Sequence, residues 1–126
     1  MASFTNLEAW KVAMNLLEEI YTLTSTFPTE EKYSLTSQMR RAAVSIVGNI
    51  AEGYGRFTYA DRANKFVIAR GECTELEAYI LIAIRIKRTT PDHSEKAKQL
   101  VQRTGRLLSG LITSCNNQKS LRQSMR

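Results

Sequence analysis

Arg40-Arg41-Ala42-Ala43-Val44-Ser45-Ile46-Val47-Gly48-Asn49-Ile50-Ala51-Glu52-Gly53 reads as a helix, apolar over most of its circumference and interrupted by one narrow polar stripe. At about 100° per residue, Leu35, Met39, Ala42, Ala43, Ile46, Val47 and Ile50 cover one side. Val44 and Ala51 carry the apolar arc to roughly 200°, whereas a surface helix needs a stripe only somewhat over 100° wide. The excess implies burial on two sides, by the helix's own bundle and by a further partner. The small residues Ala43, Ser45, Gly48 and Ala51 let a neighbouring backbone come close. The remaining polar positions, Gln38, Arg41, Ser45, Asn49 and Glu52, fall along one seam.

Outward from this stretch, helical spacing recurs in three more segments with short breaks between them. The first, about residues 6–26, repeats Leu7, Trp10, Met14, Leu17 and Tyr21 and ends at Phe27-Pro28, because the residue before a proline is pushed out of helical geometry. The quoted helix spans about 35–52, with Ser34 or Thr36 as its cap and Gly53 and Gly55 as its stop. The third opens at Thr58, with Asp61 favouring the positive helix end, and runs to about Arg88. Its second half, Ala78-Tyr79-Ile80-Leu81-Ile82-Ala83-Ile84, is apolar almost all round; it has the composition of a buried strand but lies inside a long helical pattern without turn signals. The fourth starts at Thr90-Pro91, with threonine as cap and proline in the first turn, and is expected to fray after Cys115.

Four helices with short connectors predict an all-α, antiparallel up-down-up-down four-helix bundle. Residues 1–116 form the bundle and residues 117–126 a basic, mobile tail. The double-sided apolar surfaces of helices two and three predict a homo-oligomer.

The chain has 126 residues and a net charge of +6, which fits one domain with its own core. The charge is unevenly placed. Residues 1–95 are nearly balanced, whereas residues 96–126 carry Lys96, Lys98, Arg103, Arg106, Lys119, Arg122 and Arg126 and no acid at all. Such asymmetry suits a polyanionic partner, RNA or DNA, ahead of a membrane, since the apolar face of this segment is committed to the core. A solubilising basic surface is the alternative. On helix four, Lys96, Gln99, Gln102, Arg103 and Arg106 oppose the apolar arc, and Arg85, Lys87 and Arg88 stand across the Thr89–Pro91 turn. Together with the tail these cations are expected to follow a phosphate backbone without reading sequence, because no recognition-helix motif or aromatic stacking platform accompanies them. No secretory pattern or membrane-length apolar run is present, so a cytoplasmic protein is expected.

The chemical inventory predicts no enzyme, no metal and no cofactor. His93, the sole histidine, sits in the first turn of helix four and is expected to be exposed. Glu72, Glu75 and Glu77 lack the paired Glu-x-x-His of a di-iron bundle. They are expected to pair with Arg40, level with Glu72, and with Arg41, near Glu75. Gly53-Tyr54-Gly55-Arg56 lacks the lysine and hydroxyl of a phosphate-cradling loop and reads as a turn. Cys73 and Cys115 fall on neighbouring helices roughly 13 Å out of level, too far to bridge. The helix-two stripe is expected to be a hydrogen-bonded structural network or subunit interface, with a ligand groove as the weaker alternative.

Phe4-x-x-Leu7-x-x-Trp10, Phe27-Pro28-x-x-Glu31-x-Tyr33-x-Leu35-Thr36-x-Gln38-x-Arg40-Arg41-Ala42 and Ser45-x-x-x-Asn49-Ile50-Ala51-Glu52-Gly53 resemble the bacterial four-helix-bundle proteins named for intervening sequences of 23S rRNA genes. Ala69-x-Gly71-x-x-x-Glu75-Leu76-Glu77 resembles that family's third helix, while Glu72-Cys73 departs from its small residues and the basic tail lies outside the match. The resemblance implies a bundle assembling as a ring, typically a pentamer. It also implies distant kinship with nucleic-acid-binding accessory variability proteins of diversity-generating retroelements. It implies no established biochemical function.

Overall fold

The computed structural model describes residues 3–125, and its principal elements are four helices: α1 (Glu8–Thr24), α2 (Leu35–Gly55), α3 (Tyr59–Arg85) and α4 (Pro91–Ser124). Short 3-10 turns at Phe4–Asn6 and Thr29–Glu31 precede α1 and α2, and no strand occurs among the described residues. Each helix packs on the next and α4 closes back on α1, with no diagonal contacts, so the four stand at the corners of a square. This is the predicted all-α up-down bundle, and the apolar run of helix three is helical throughout.

The predicted caps at α3 and α4 are in place. Thr58 Oγ1 accepts from the Asp61 amide at 3.1 Å, and Thr90 Oγ1 from the His93 amide at 3.2 Å, each satisfying an orphan donor of a first turn. Ser34 takes the cap position of α2, but its hydroxyl donates to Glu31 Oε1 at 2.9 Å instead. Helix two runs three residues past its expected end because Gly53 still faces inward: a Cβ there would lie 2.7 Å from the Phe66 ring. Helix three stops at Arg85 rather than Arg88 because Lys87 turns left-handed (φ 63°), while the Arg88 and Thr89 amides fold back onto the Ala83 carbonyl.

Helix four departs most from expectation. It does not fray after Cys115 but continues to Ser124. No glycine or proline follows Gly110, and Gln, Lys, Leu and Arg in the last turns are good helix formers. These turns also have tertiary support, since Arg122 lies over the Tyr59 ring with its guanidinium carbon 5.0 Å from the centroid.

The core is built from layers of small and branched residues. Leu16 and Ile20 of α1, Met39, Ile46 and Ile50 of α2, Leu76 and Ile80 of α3, and Val101 and Leu108 of α4 are buried among Ala13, Ala42, Ala69, Ala83 and Ala97. The alanines let the helices approach closely while the branched residues interdigitate. Both cysteines are free and buried.

Candidate nucleic-acid interface

The predicted cations do not form one patch. A 34-residue helix is about 50 Å long, so the α3–α4 turn and the tail lie at opposite ends of the bundle.

At the turn, Arg88 is half-buried and committed to acids, its Nε 3.3 Å from Glu31 Oε2 and its Nη2 3.3 Å from Glu30 Oε1. Arg85 and Lys87 remain exposed beside it. Lys87, Arg88, Thr89, Pro91 and His93 line a hollow of about 520 Å³.

Midway along α4 the expected acid-free face divides in two. Lys96 and Arg103 turn towards α1, where Glu19 (3.6 Å) and Glu8 (2.9 Å) neutralise them. The acids that the basic segment lacks are thus supplied by the first helix, which sequence separation concealed. Lys98 and Arg106 lie on the other flank and have no carboxylate within 4 Å among the described residues. Arg106 lines a cleft of about 310 Å³ between α3 and α4 together with Arg70, Thr74, Ser109 and the carboxylate of Glu77, to which Gln102 donates at 2.7 Å, with Gly105 and Cys73 beneath. Arg70 Nη1 donates to Ser109 Oγ at 3.5 Å. Arg70 belongs to this basic flank but lies in the charge-balanced part of the chain; its position one turn ahead of Thr74 on the α4 side of α3 was the available signal. Burial pushes the Cys73 thiol up to about 12, with Glu72 and Glu77 adding to the effect, so this sulfur is no nucleophile at neutral pH.

At the far end, Lys119 and Arg122 meet the start of α3. With Thr58, Tyr59, Ala60 and Gln123 they line a hollow of about 190 Å³. The Arg62 guanidinium also lies over Tyr59, at 5.5 Å. Arg126 lies outside the described residues.

The polar stripe of α2 is the seam with α3. Arg41 takes Gln38 Oε1 at 3.2 Å and reaches Glu72 (3.4 Å) and Glu75 (2.5 Å), and Tyr79 donates to Glu75 at 2.6 Å. Asn49 donates to the Ser45 carbonyl and hydroxyl at 2.9 and 3.1 Å, and Glu52 joins Arg56 and Lys65. Bonds from Arg56 and then Lys65 hold the Glu52 carboxyl below its ordinary range. Along the stripe these bonds form three separate groups, around Arg41, within Ser45–Asn49 and around Glu52. Arg40 joins none of them: it turns to α1, where Nε donates to Thr24 Oγ1 at 2.9 Å and the guanidinium lies 4.5 Å from the Tyr21 centroid.

Beside this seam lies an uncovered apolar face. Val44 (51% accessible) on α2 and Leu81 (49%), with Val67, Ile68 and Ile82, on α3 are exposed, as is Ile86 just past the end of α3. Gly48 opens to space and Ala51 is half-buried. Among the described residues no three His, Cys, Asp or Glu side chains gather as a metal site requires, and no helix is long and apolar enough to cross a membrane.

A closed four-helix square with a divided basic flank and an apolar outer face defines a small helical-bundle protein. Residues 5–110 match the 23S rRNA-intervening sequence protein family, and the chain belongs to that family. In structure it is similar to a protein of unknown function from the S23 ribosomal protein family of Bacteroides thetaiotaomicron VPI-5482, with a TM-score of 0.77 and 25% sequence identity over 83% of this chain and 95% of that one. Among curated proteins no sequence matches the chain.

Proposed function

We propose that the protein is a non-enzymatic, self-assembling bundle that holds RNA or DNA by phosphate contacts without reading sequence. The observation that carries this is the distribution of uncompensated charge. Residues 96–126 hold seven cations and no acid, and among the described residues α1 neutralises only Lys96 and Arg103. Arg106 and Lys119, with Arg70 alongside, are exposed, and half-buried Lys98 has no carboxylate partner among the described residues; such cations bind polyanions by releasing condensed counterions. Assembly is supported by the exposed apolar side chains on the outer faces of α2 and α3, the kind of surface that marks an interaction site. The family resemblance implies a ring, typically a pentamer, and a ring would repeat the basic flank so that weak contacts add by avidity.

The test is a titration of single-stranded and duplex RNA and DNA at several salt concentrations, on protein whose mass is known from light scattering. Binding that weakens steeply with salt and varies little with sequence supports the proposal. No binding at low salt overturns it and leaves a protein-interaction module, the second reading, which the apolar α2–α3 face favours.

A further inference from the structure

The most accessible large apolar side chain among the described residues is Phe57, 95% accessible, in the turn between α2 and α3. Its surroundings are rigid. The Arg56 amide donates to the Gly53 carbonyl at 3.3 Å, Arg62 Nε donates to the Arg56 carbonyl at 2.8 Å, and Thr58 caps α3 directly after it. The ring is therefore presented on a fixed platform at the end of the bundle.

That end is where α4 arrives. Lys119 and Arg122 pack against Thr58 and Tyr59, and this end also carries Arg62 and the Glu52-paired Arg56 and Lys65, with Asp61 as the other acid among the described residues of the turn and first helical turns. Tyr59 is half-buried, with both Arg62 and Arg122 over its ring, which leaves Phe57 as the aromatic with an open surface. Leu121 and Met125, on and just after the last turn of α4, are exposed as well, while Arg56, Arg62, Lys65, Lys119 and Arg122 give this end of the bundle an excess of positive charge. A flat π-face bordered by positive charge fits an unpaired nucleobase with its flanking phosphates.

We propose that this end of the bundle binds single-stranded nucleic acid, stacking one unpaired base on Phe57 while Lys119 and Arg122 hold the adjacent phosphates. The inference rests on the nucleic-acid reading above and refines it, since phosphate contacts alone do not distinguish paired from unpaired strands. A duplex keeps its bases stacked on each other and gains nothing from Phe57.

The test is fluorescence anisotropy with three labelled probes: a twelve-nucleotide oligo-dT, an abasic strand of the same charge, and a duplex. Wild type, Phe57→Ala and Arg106→Gln are compared, with circular dichroism to verify the fold, which Phe57→Ala leaves intact because so exposed a ring packs on nothing. Phe57→Ala is expected to weaken oligo-dT binding roughly fivefold to a hundredfold, the range of one lost base stack, and to leave the abasic and duplex affinities within about twofold. Equal loss on the abasic strand overturns the stacking. So does wild-type affinity of Phe57→Ala for oligo-dT while Arg106→Gln still weakens all three probes, and in that case the phosphate-binding function stands. Absence of wild-type binding to every probe overturns both.

Discussion

Arg103 on α4 donates to the carboxylate of Glu8 in the first turn of α1, at 2.9 Å. This bond ties the last helix to the first, and it occupies one of two similar arginines on the outer side of α4. Arg106, one turn on, has no such partner among the described residues. Arg106→Gln should therefore weaken nucleic-acid binding more than Arg103→Gln, and should flatten the salt dependence by about one unit per lost contact. Glu8→Gln, which frees Arg103, should strengthen binding. Affinities at several salt concentrations check all three, and equal effects of the two arginine variants would contradict the assignment.

Gly48 faces open space on α2, next to the exposed Val44. A charge at this position should disrupt assembly without touching the core. Gly48→Glu is expected to lower the mass measured by light scattering while the far-ultraviolet circular dichroism of the helices persists. Leu81→Lys on α3 should act in the same direction. Loss of helicity in step with loss of mass would show that the protomer does not stand without its neighbours.

Two helical glycines give opposite expectations for the same substitution. A methyl at Gly53 meets the Phe66 ring at 2.7 Å and the Lys65 Cβ at 3.1 Å, whereas one at Gly110 meets nothing within 4 Å. Gly53→Ala should destabilise by about 1–3 kcal/mol through overpacking. Gly110→Ala should stabilise by about 0.5–1 kcal/mol, since alanine loses less backbone entropy in a helix. Urea denaturation of the two variants beside the parent measures both.

Burial raises the Cys73 thiol from 9.0 to about 12, and burial also raises Cys115. In the unfolded chain a thiol ionises near pH 9, while the folded protein holds it protonated. The unfolded state thus binds fewer protons above that point, and linkage makes the fold lose stability as pH rises from 9.0 towards 12. At pH 8 the native protein should react slowly with a thiol reagent, Cys73 more slowly than Cys115, and both should react at once in denaturant. Fast native labelling of Cys73 would place its sulfur at the surface.

The fold was legible because its signals are local. Thr58 and Thr90 cap where a threonine precedes an apolar-periodic run, and Pro28 and Pro91 punctuate where proline must. The end of α4 was not legible, because Asn116-Asn117-Gln118 carries no core residue and the support for the last turns comes from Tyr59, on another helix. The same limit governs the basic site. Net charge along the chain located an acid-free segment, but the pairing of Lys96 with Glu19 and Arg103 with Glu8 depends on which helix closes the square. Arg70 went unseen because it lies among acids in sequence while its guanidinium reaches Ser109 on α4. Arg40 and Arg41 show how fine the distinction is: adjacent in the chain and about 100° apart on the helix, one binds α1 and the other α3.

The unbroken run of α4 turns the bundle into a gauge of length. Lys98 and Lys119 lie on the α3 side of the helix, about 30 Å apart at about 1.5 Å per residue. One strand of a duplex advances about 3.4 Å per nucleotide, so about nine base pairs are what a duplex needs to touch both, and an extended single strand does so with fewer nucleotides. Shorter duplexes meet one end or the other, and occupancy should climb in a step rather than smoothly as duplexes pass that size.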